Sequence, residues 1–544
     1  EKVDEYTANI YQYVPGQLVA KYTFSLPKPV LLEARNAYAY DIKVEQQEGN
    51  YVVSYRLNAP ASQVKVQLWA DGEVAKEYDG TTIAQYTDEN KTAVNNLNTV
   101  TIPAADVPED TKVSFRVAVT SEALTEAAVA EKAYRFYHPA GVAIDNNTDS
   151  PYFGRLYMTE AMPSTSATYH SYGEGNGQGL YIFDQMLNPV TNAEGSYAFK
   201  GGQTFQEKFT NGTTSYDPRK VRITEDGRVL LSGQNENGVA LWEVNPEDLN
   251  ADFKPIISGT PNGYDIQTAD GQFMAAPNVS MDVKGKGSNL KVLMLSNNNG
   301  GQFAYGGYRT DEYDLGTATE WTTAPSRNIA ALSGKYTITH TNTTVLYDNE
   351  GGIWYANSRA TATADEPTLV HINAAGEEDY KVEDGGGLYY GGGGIAFNHD
   401  FTRLAIGTGS NTITVYAVSK DADGKPVLTE EFNFETTIGR NCNDIAWDIA
   451  DNLYIVGNNG EWLKSFSLPR ESGEVVVAAP SKYDVSISSD EYPAELFIIG
   501  GVTDPVWSPE TGIKMKKGEE GVYTAQITTN AVTDNIGIVS VLDA

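Results

Sequence analysis

Residues 393–425 read GGIAFNHDFTRLAIGTGSNTITVYAVSKDADGK, and the order of residue types in this stretch decides the fold. Three short apolar runs (IAF, RLAIG, TITVYAV) are separated by stretches holding NHD and GSN, and DADG follows the third. Runs of this kind, bounded by Asn, Asp, Gly and Ser, read as strands joined by turns. The order is one apolar strand, an Asp/Asn/Gly turn, a second strand and a third. One such unit cannot bury both of its faces alone, so it needs copies of itself on either side.

The copies are present. Upstream stand TTVLYDNEGGIWYANSRA (343–360) with TLVHINAAGEE (368–378), NVSMDVKGKGSNLKVLMLSNN (278–298), KVRITEDGRVLLSGQNENGVALWEVNPEDL (220–249), and GVAIDNN (141–147) with GRLYMTEA (154–161) and GLYIFDQMLNPV (179–190). Downstream stands NDIAWDIADNLYIVGNNGEWLKSFSLP (443–469). Several-stranded repeats at spacings of roughly 50–80 residues predict a β-propeller. The count is six; residues 251–342 leave room for a seventh. Before the repeats, YVVSYRL (51–57), QVKVQLWADGEVAKEY (63–78), NTVTIPAADVP (98–108) and KVSFRVAVT (112–120) alternate as in a small β-sandwich. SEALTEAAVAEKAY (121–134) is the one stretch expected to be helical. Pro480 and SISSDEYP (486–493) mark a domain edge. The expected architecture is therefore all-β. It has an N-terminal immunoglobulin-like or fibronectin-III-like sandwich over 1–137, a propeller of about six blades over 138–475, and a linker with a short C-terminal β module over 476–544.

A chain of 544 residues needs more than one core. Its net charge of -33 repels nucleic acid and anionic membrane surfaces and tolerates a neutral partner such as a sugar. The 34 tyrosines suit half-exposed β surface, where the ring packs and the hydroxyl stays wet. The single cysteine, Cys442, forms no intramolecular disulfide and reads as a small buried apolar residue. The chain opens on the acidic EKVDEY, so an export signal and a lipid anchor are expected to have been removed from it.

Sugar binding needs flat aromatic faces against the C–H face of a pyranose, with short polar groups for the hydroxyls. Four loops offer both. PSTSATYHSYGEGNGQG (163–179) carries Tyr169 and Tyr172. SNNNGGQFAYGGYRTDEYDLGTATEW (296–321) carries Tyr305, Tyr308 and Trp321. DGGGLYYGGGG (384–394) carries Tyr389 and Tyr390, and GNNGEWLKS (457–465) carries Trp462. The glycines around Tyr389 and Tyr390 allow sharp turns and a close approach to the channel before the strand GIAF. Trp69, Trp242, Trp354 and Trp447 lie within strand patterns and are expected in the core. Catalytic signals are thin. Gly173–Gly179 has no following helix, SGKY (333–336) fails the P-loop pattern, and no G-x-S-x-G elbow appears. The five histidines show no zinc spacing. His399 and DADG (421–424) read as turns. No metal, cofactor or catalytic group is assigned, and carboxylates are too numerous for one acid pair to stand out.

AELFIIGGVTDPVWSPETGIKMKKGEEGVYTAQI (494–527) resembles the start of the SusE/SusF-type modules of starch-utilisation-system outer-membrane proteins. Leu496, Gly500, Trp507, Met515, Gly521, Val522 and Tyr523 fall at matching places. The repeats DNNTDSPYFGRLYMTEA and GLYIFDQMLNPV resemble the propeller of Bacteroidota surface proteins. The resemblance implies a surface lipoprotein of a glycan-utilisation system, anchored in the outer membrane through a lipid. It implies a neutral oligo- or polysaccharide ligand, an outer-membrane transporter complex as a further partner, and Trp507 as a sugar platform. The expected function is non-catalytic glycan binding. The alternatives are a propeller enzyme (a lactonase-like metal hydrolase or a glycan hydrolase or lyase) and a protein-docking scaffold. A metal held on the channel axis by convergent acids would favour the enzyme.

Overall fold

The computed structural model describes residues 7–14 and 17–25 by backbone alone. Beyond them it describes 35–80, 97–108, 111–130, 133–163, 177–203, 205, 217–233, 238–262, 265–267, 269, 273–275, 280–297, 308–337, 342–358, 360, 362–383, 393–408, 412–436, 439–459, 462–487, 497–500, 512–517, 523–526 and 536–539. Among the described residues all regular structure is strand, apart from three short 3-10 turns.

Six antiparallel sheets form the propeller. Their first strands are Pro139–Ile144, Val221–Ile223, Ser280–Lys284, Thr344–Tyr347, Ile395–Phe397 and Gly439–Trp447. Each first strand touches the next, and the sixth touches the first, so the ring closes at six blades. The 251–342 stretch holds the outer strand of blade 2 (Lys254–Ser258), blade 3 and a small separate sheet of Thr260–Asn262, Asp265–Gln267 and Phe273–Ala275. Central strands such as Leu156–Glu160 and Val229–Ser232 are buried at every position, because blades cover both of their faces.

The sandwich alternates instead. Asn50–Leu57 buries every second side chain against Val64, Val66, Leu68, Phe115 and Val117 of the facing sheet. One sheet runs Ala39–Gln47, Asn50–Leu57, Asn98–Ile102. The other runs Gly473–Ala478, Thr111–Ser121, Gln63–Ala70, Glu73–Asp79. A C-terminal three-stranded sheet centres on Phe497–Gly500.

Two expectations are corrected. The described residues of 121–134 are not helical. Ala128–Val129 and Tyr134–Arg135 pair with Trp462–Ser467 and supply the outer strands of blade 6. The helix-forming composition is overridden because edge pairing satisfies the backbone and closes the ring. Residues 476–487 do not open a C-terminal module. Gly473–Ala478 and Val485–Ile487 both pair with Thr111–Ser121 of the sandwich. The propeller is thus inserted into the sandwich, which holds both of its ends. The seam is polar and apolar at once. Arg35 donates to Gln185 O (3.0 Å) and Asn58 O (2.9 Å), and Asn36 and Asn452 bond reciprocally at 2.7 and 3.0 Å. Tyr38 meets Phe153 edge-on at 5.6 Å.

A buried polar hub crosses the propeller axis. Blade 2 sends in Arg219, Lys220 and Arg222. Blade 4 contributes Asn342, and blade 6 contributes Asn443 and Asp444. Arg219 Nη2 donates to Asn342 Oδ1 (2.9 Å), and Asn342 Nδ2 to Asn443 Oδ1 (2.6 Å). Lys220 Nζ donates to Asn443 O (2.7 Å) and lies 3.3 Å from Asp444 Oδ1. Arg222 grips Asp444 with two bonds of 2.7 and 3.0 Å, and its Nε lies 3.4 Å from Asp282 of blade 3. Burial pushes the Asp444 carboxyl up, but Arg222 and Lys220 outweigh it and hold it below the ordinary range. Burial depresses the Lys220 ammonium to about 8 and raises Asp282 to about 6. Removing one partner from such a cluster leaves buried charge uncompensated. Arg222→Met is therefore expected to lower the unfolding free energy by about 3–5 kcal/mol in urea titrations. A loss of under about 1 kcal/mol would show that the pairing carries no net stability.

Candidate functional site

Strand one of a blade ends on a short polar residue, Thr224, Asp348, Asn398 or Asp448 in blades 2, 4, 5 and 6. That side chain turns the backbone by accepting from N–H groups just beyond it. Asp348 Oδ1 accepts from Glu350 (2.9 Å) and Gly352 (2.7 Å), Asp448 Oδ1 from Ala450 and Asn452 (both 2.9 Å). Asn398 Oδ1 accepts from Arg403 N and Thr224 Oγ1 from Arg228 N, both at 2.9 Å. These are Asx- and ST-type turns. The fourth residue of each lies in the left-handed region: Gly227 (φ +84°), Gly351 (φ +93°), Phe401 (φ +60°) and Asp451 (φ +59°). Glycine and aspartate suit that region; a bulky aromatic there is an outlier costing roughly 1–3 kcal/mol. Blade 5 alone of these four pays that strain.

The strained turn has a product. The Phe401 ring lies 5.2 Å from Phe397, tilted by 39°, and both rings are half-buried. They form a wall between two cavities. One is an axial funnel of about 690 Å³, ringed by the ends of first strands, with Arg222 and Asp282 in its floor. The other is a groove of about 410 Å³ between blades 4 and 5. Asp348, Asn349, Phe397 and Phe401 line both. Asn349 and His399 are exposed, and Thr148 is half-buried at the funnel wall. Aromatic area with a few hydrogen-bonding groups is the composition of a small-molecule site.

The groove side of the wall is braced. His371 Nε2 lies 2.8 Å from Asp348 Oδ2, and its Nδ1 lies 2.5 Å from Asp379 Oδ1. Burial lowers the His371 pKa, and the two carboxylates more than reverse it, leaving the imidazole above its ordinary value. Its ring rests 4.7 Å from Trp354. Among the described residues, no three His, Cys, Asp or Glu side chains gather as metal ligands.

Of the residues singled out by sequence, the described ones, Tyr308, Trp321 and Trp462, are not brought together. Tyr169, Tyr172, Tyr305, Tyr389, Tyr390 and Trp507 lie outside the described residues. Tyr308 opens the third strand of blade 3 and packs, half-buried, against the core of blades 3 and 4. Trp321 packs edge-on to Tyr313 at 5.7 Å, and its Nε1 donates to Thr323 O (3.0 Å) and Ala324 O (3.1 Å). Its backbone N donates to Ile256 O, tying blade 3 to blade 2. Trp462 lies in blade 6 with Arg135 4.7 Å and Lys464 4.9 Å from its ring. Trp242, Trp354, Trp447 and Cys442 are buried as expected, while Trp69 is half-buried beneath Arg116 at 3.7 Å. His399 sits in its turn. Phe397 and Phe401 carry no loop or composition signal. The one available signal is internal: FNHDF sets a phenylalanine where TEDG and DNEG set glycine.

No known protein family matches the sequence, and no curated protein matches it. Solved structures resemble the fold at low identity. An auxiliary nutrient binding protein from Bacteroides thetaiotaomicron gives a TM-score of 0.36 at 9% identity, covering 79% of this chain and 98% of its own. A glucose dehydrogenase gives 0.34 at 14%, covering 63% and 98%. A β-propeller domain from Myceliophteria thermophila gives 0.31 at 12%, covering 63% and 99%.

If the Phe401 ring is kept for a ligand, its removal costs the fold little. Relief of roughly 1–3 kcal/mol of strain offsets the packing of one half-buried ring. Phe401→Gly is expected to unfold in urea within about 1 kcal/mol of the wild type. A loss above about 3 kcal/mol would make the ring a structural anchor instead.

Proposed function

We propose that this chain is a non-catalytic glycan-binding protein that holds a neutral oligo- or polysaccharide at the funnel and groove. The observation that carries the reading is Phe401: an aromatic ring kept, against backbone strain, on the wall shared by two adjacent cavities. Strain of this kind at a cavity points to a ligand. The Phe397–Phe401 pair offers apolar area to the C–H face of a sugar, and Asn349, His399 and Thr148 offer partners for hydroxyls.

Charge supports a neutral ligand. The acidic chain disfavours polyanions, and Asp348, Glu350 and Asp379 stand in the groove. The pairing at the axis supports binding over catalysis. Asp444 and Asp282 are engaged by Arg222 and Lys220, so these two carboxylates of the hub serve the chain's own cations. We place the protein on the outer membrane of a bacterium, lipid-anchored at the cell surface and working beside a transporter. This setting rests on the sequence resemblance and is checked by surface proteolysis of intact cells.

Affinity electrophoresis against neutral and acidic polysaccharides tests the reading. Retention by at least one neutral glycan is expected, and Phe397→Ala is expected to weaken it about tenfold, the ~1.4 kcal/mol of one aromatic face. Silence across the whole panel would contradict the proposal.

A further inference from the structure

The funnel is blind. Its floor is the hub, in which Arg219, Lys220 and Asp444 are essentially unexposed at 1%, 1% and 0%. Their bonds run from blade 2 to blade 4 through Asn342 and from blade 2 to blade 6 through Asn443 and Asp444. A chain entering along the axis therefore stops at Arg222 and Asp282. Threading through the ring would require breaking several buried charge-assisted bonds, each strong in a low-dielectric interior.

The funnel is bordered by a second cavity. The funnel wall at Asp348, Asn349, Phe397 and Phe401 is also the wall of the groove between blades 4 and 5. That wall is held in place. Asp348 is pinned by the N–H groups of Glu350 and Gly352 and by His371, which is itself fixed by Asp379. A ligand filling both cavities bends over the Phe397–Phe401 pair, with one end at the axis and its body leading outward.

Resting on the glycan-binding reading, we infer that the site recognises a chain end: the terminal sugar occupies the blind funnel and the following sugars lie in the blade 4–5 groove. A binder of internal segments needs a cleft open at both ends; here one end is closed by a salt-bridged floor. Bound protein is then counted by the number of chain ends, whatever the chain length.

Calorimetric titration with linear pullulan, barley β-glucan, konjac glucomannan and inulin tests this. Each is used as two size fractions differing about tenfold in chain length, at equal chain concentration. One protein per chain in both fractions of a bound glycan is expected. Roughly tenfold more protein on the longer fraction would overturn chain-end recognition while leaving glycan binding intact. No heat with any of the four would overturn both.

Discussion

The structure depends on a salt-bridged hub where a propeller would otherwise have a hole. Arg222 and Lys220 from blade 2 meet Asp444 from blade 6, and Arg219 reaches Asn342 of blade 4, which bonds to Asn443 of blade 6. Alternate blades are thereby tied across the axis. Buried charge is costly unless it is paired and hydrogen-bonded, and here nearly every partner comes from a different blade. The ring cannot open at one blade without exposing charge at another. The same pairing closes the channel, so whatever enters from one end finds a floor.

On that scaffold a single turn position sets the site apart. The Asx and ST turns after the first strands of blades 2, 4, 5 and 6 share a geometry, and three of the four fill the left-handed position with glycine or aspartate. Blade 5 fills it with Phe401. The resulting ring, tilted against Phe397, lines two adjacent cavities. Local backbone strain is thus converted into an apolar surface at the propeller end. The His371 brace between Asp348 and Asp379 keeps the neighbouring wall from yielding.

Much of the fold is legible in the sequence, because strand–turn–strand order is a local property. The repeats ending on AID, LYD, AFN and AWD mark the first strands directly. What is not legible is non-local pairing. Residues 121–134 have the composition of a helix, yet Leu124 bridges Arg470 and Tyr134 pairs with Leu463, contacts that no window of sequence contains. The return of 473–487 into the sandwich is hidden for the same reason. The site is less legible than the fold. Glycine-rich loops with tyrosine draw the eye, whereas Phe397 and Phe401 sit in an ordinary strand and an ordinary turn. Only superposition of FNHDF on TEDG and DNEG exposes the misplaced aromatic.

The most direct test of where this protein binds is hydrogen–deuterium exchange with and without a retained oligosaccharide. Slowed exchange across 346–350 and 395–403, the two segments that build the shared wall, is the expected result. Protection confined to the opposite end of the blades, at 308–310 and 462–465, with none at the wall, would contradict the account.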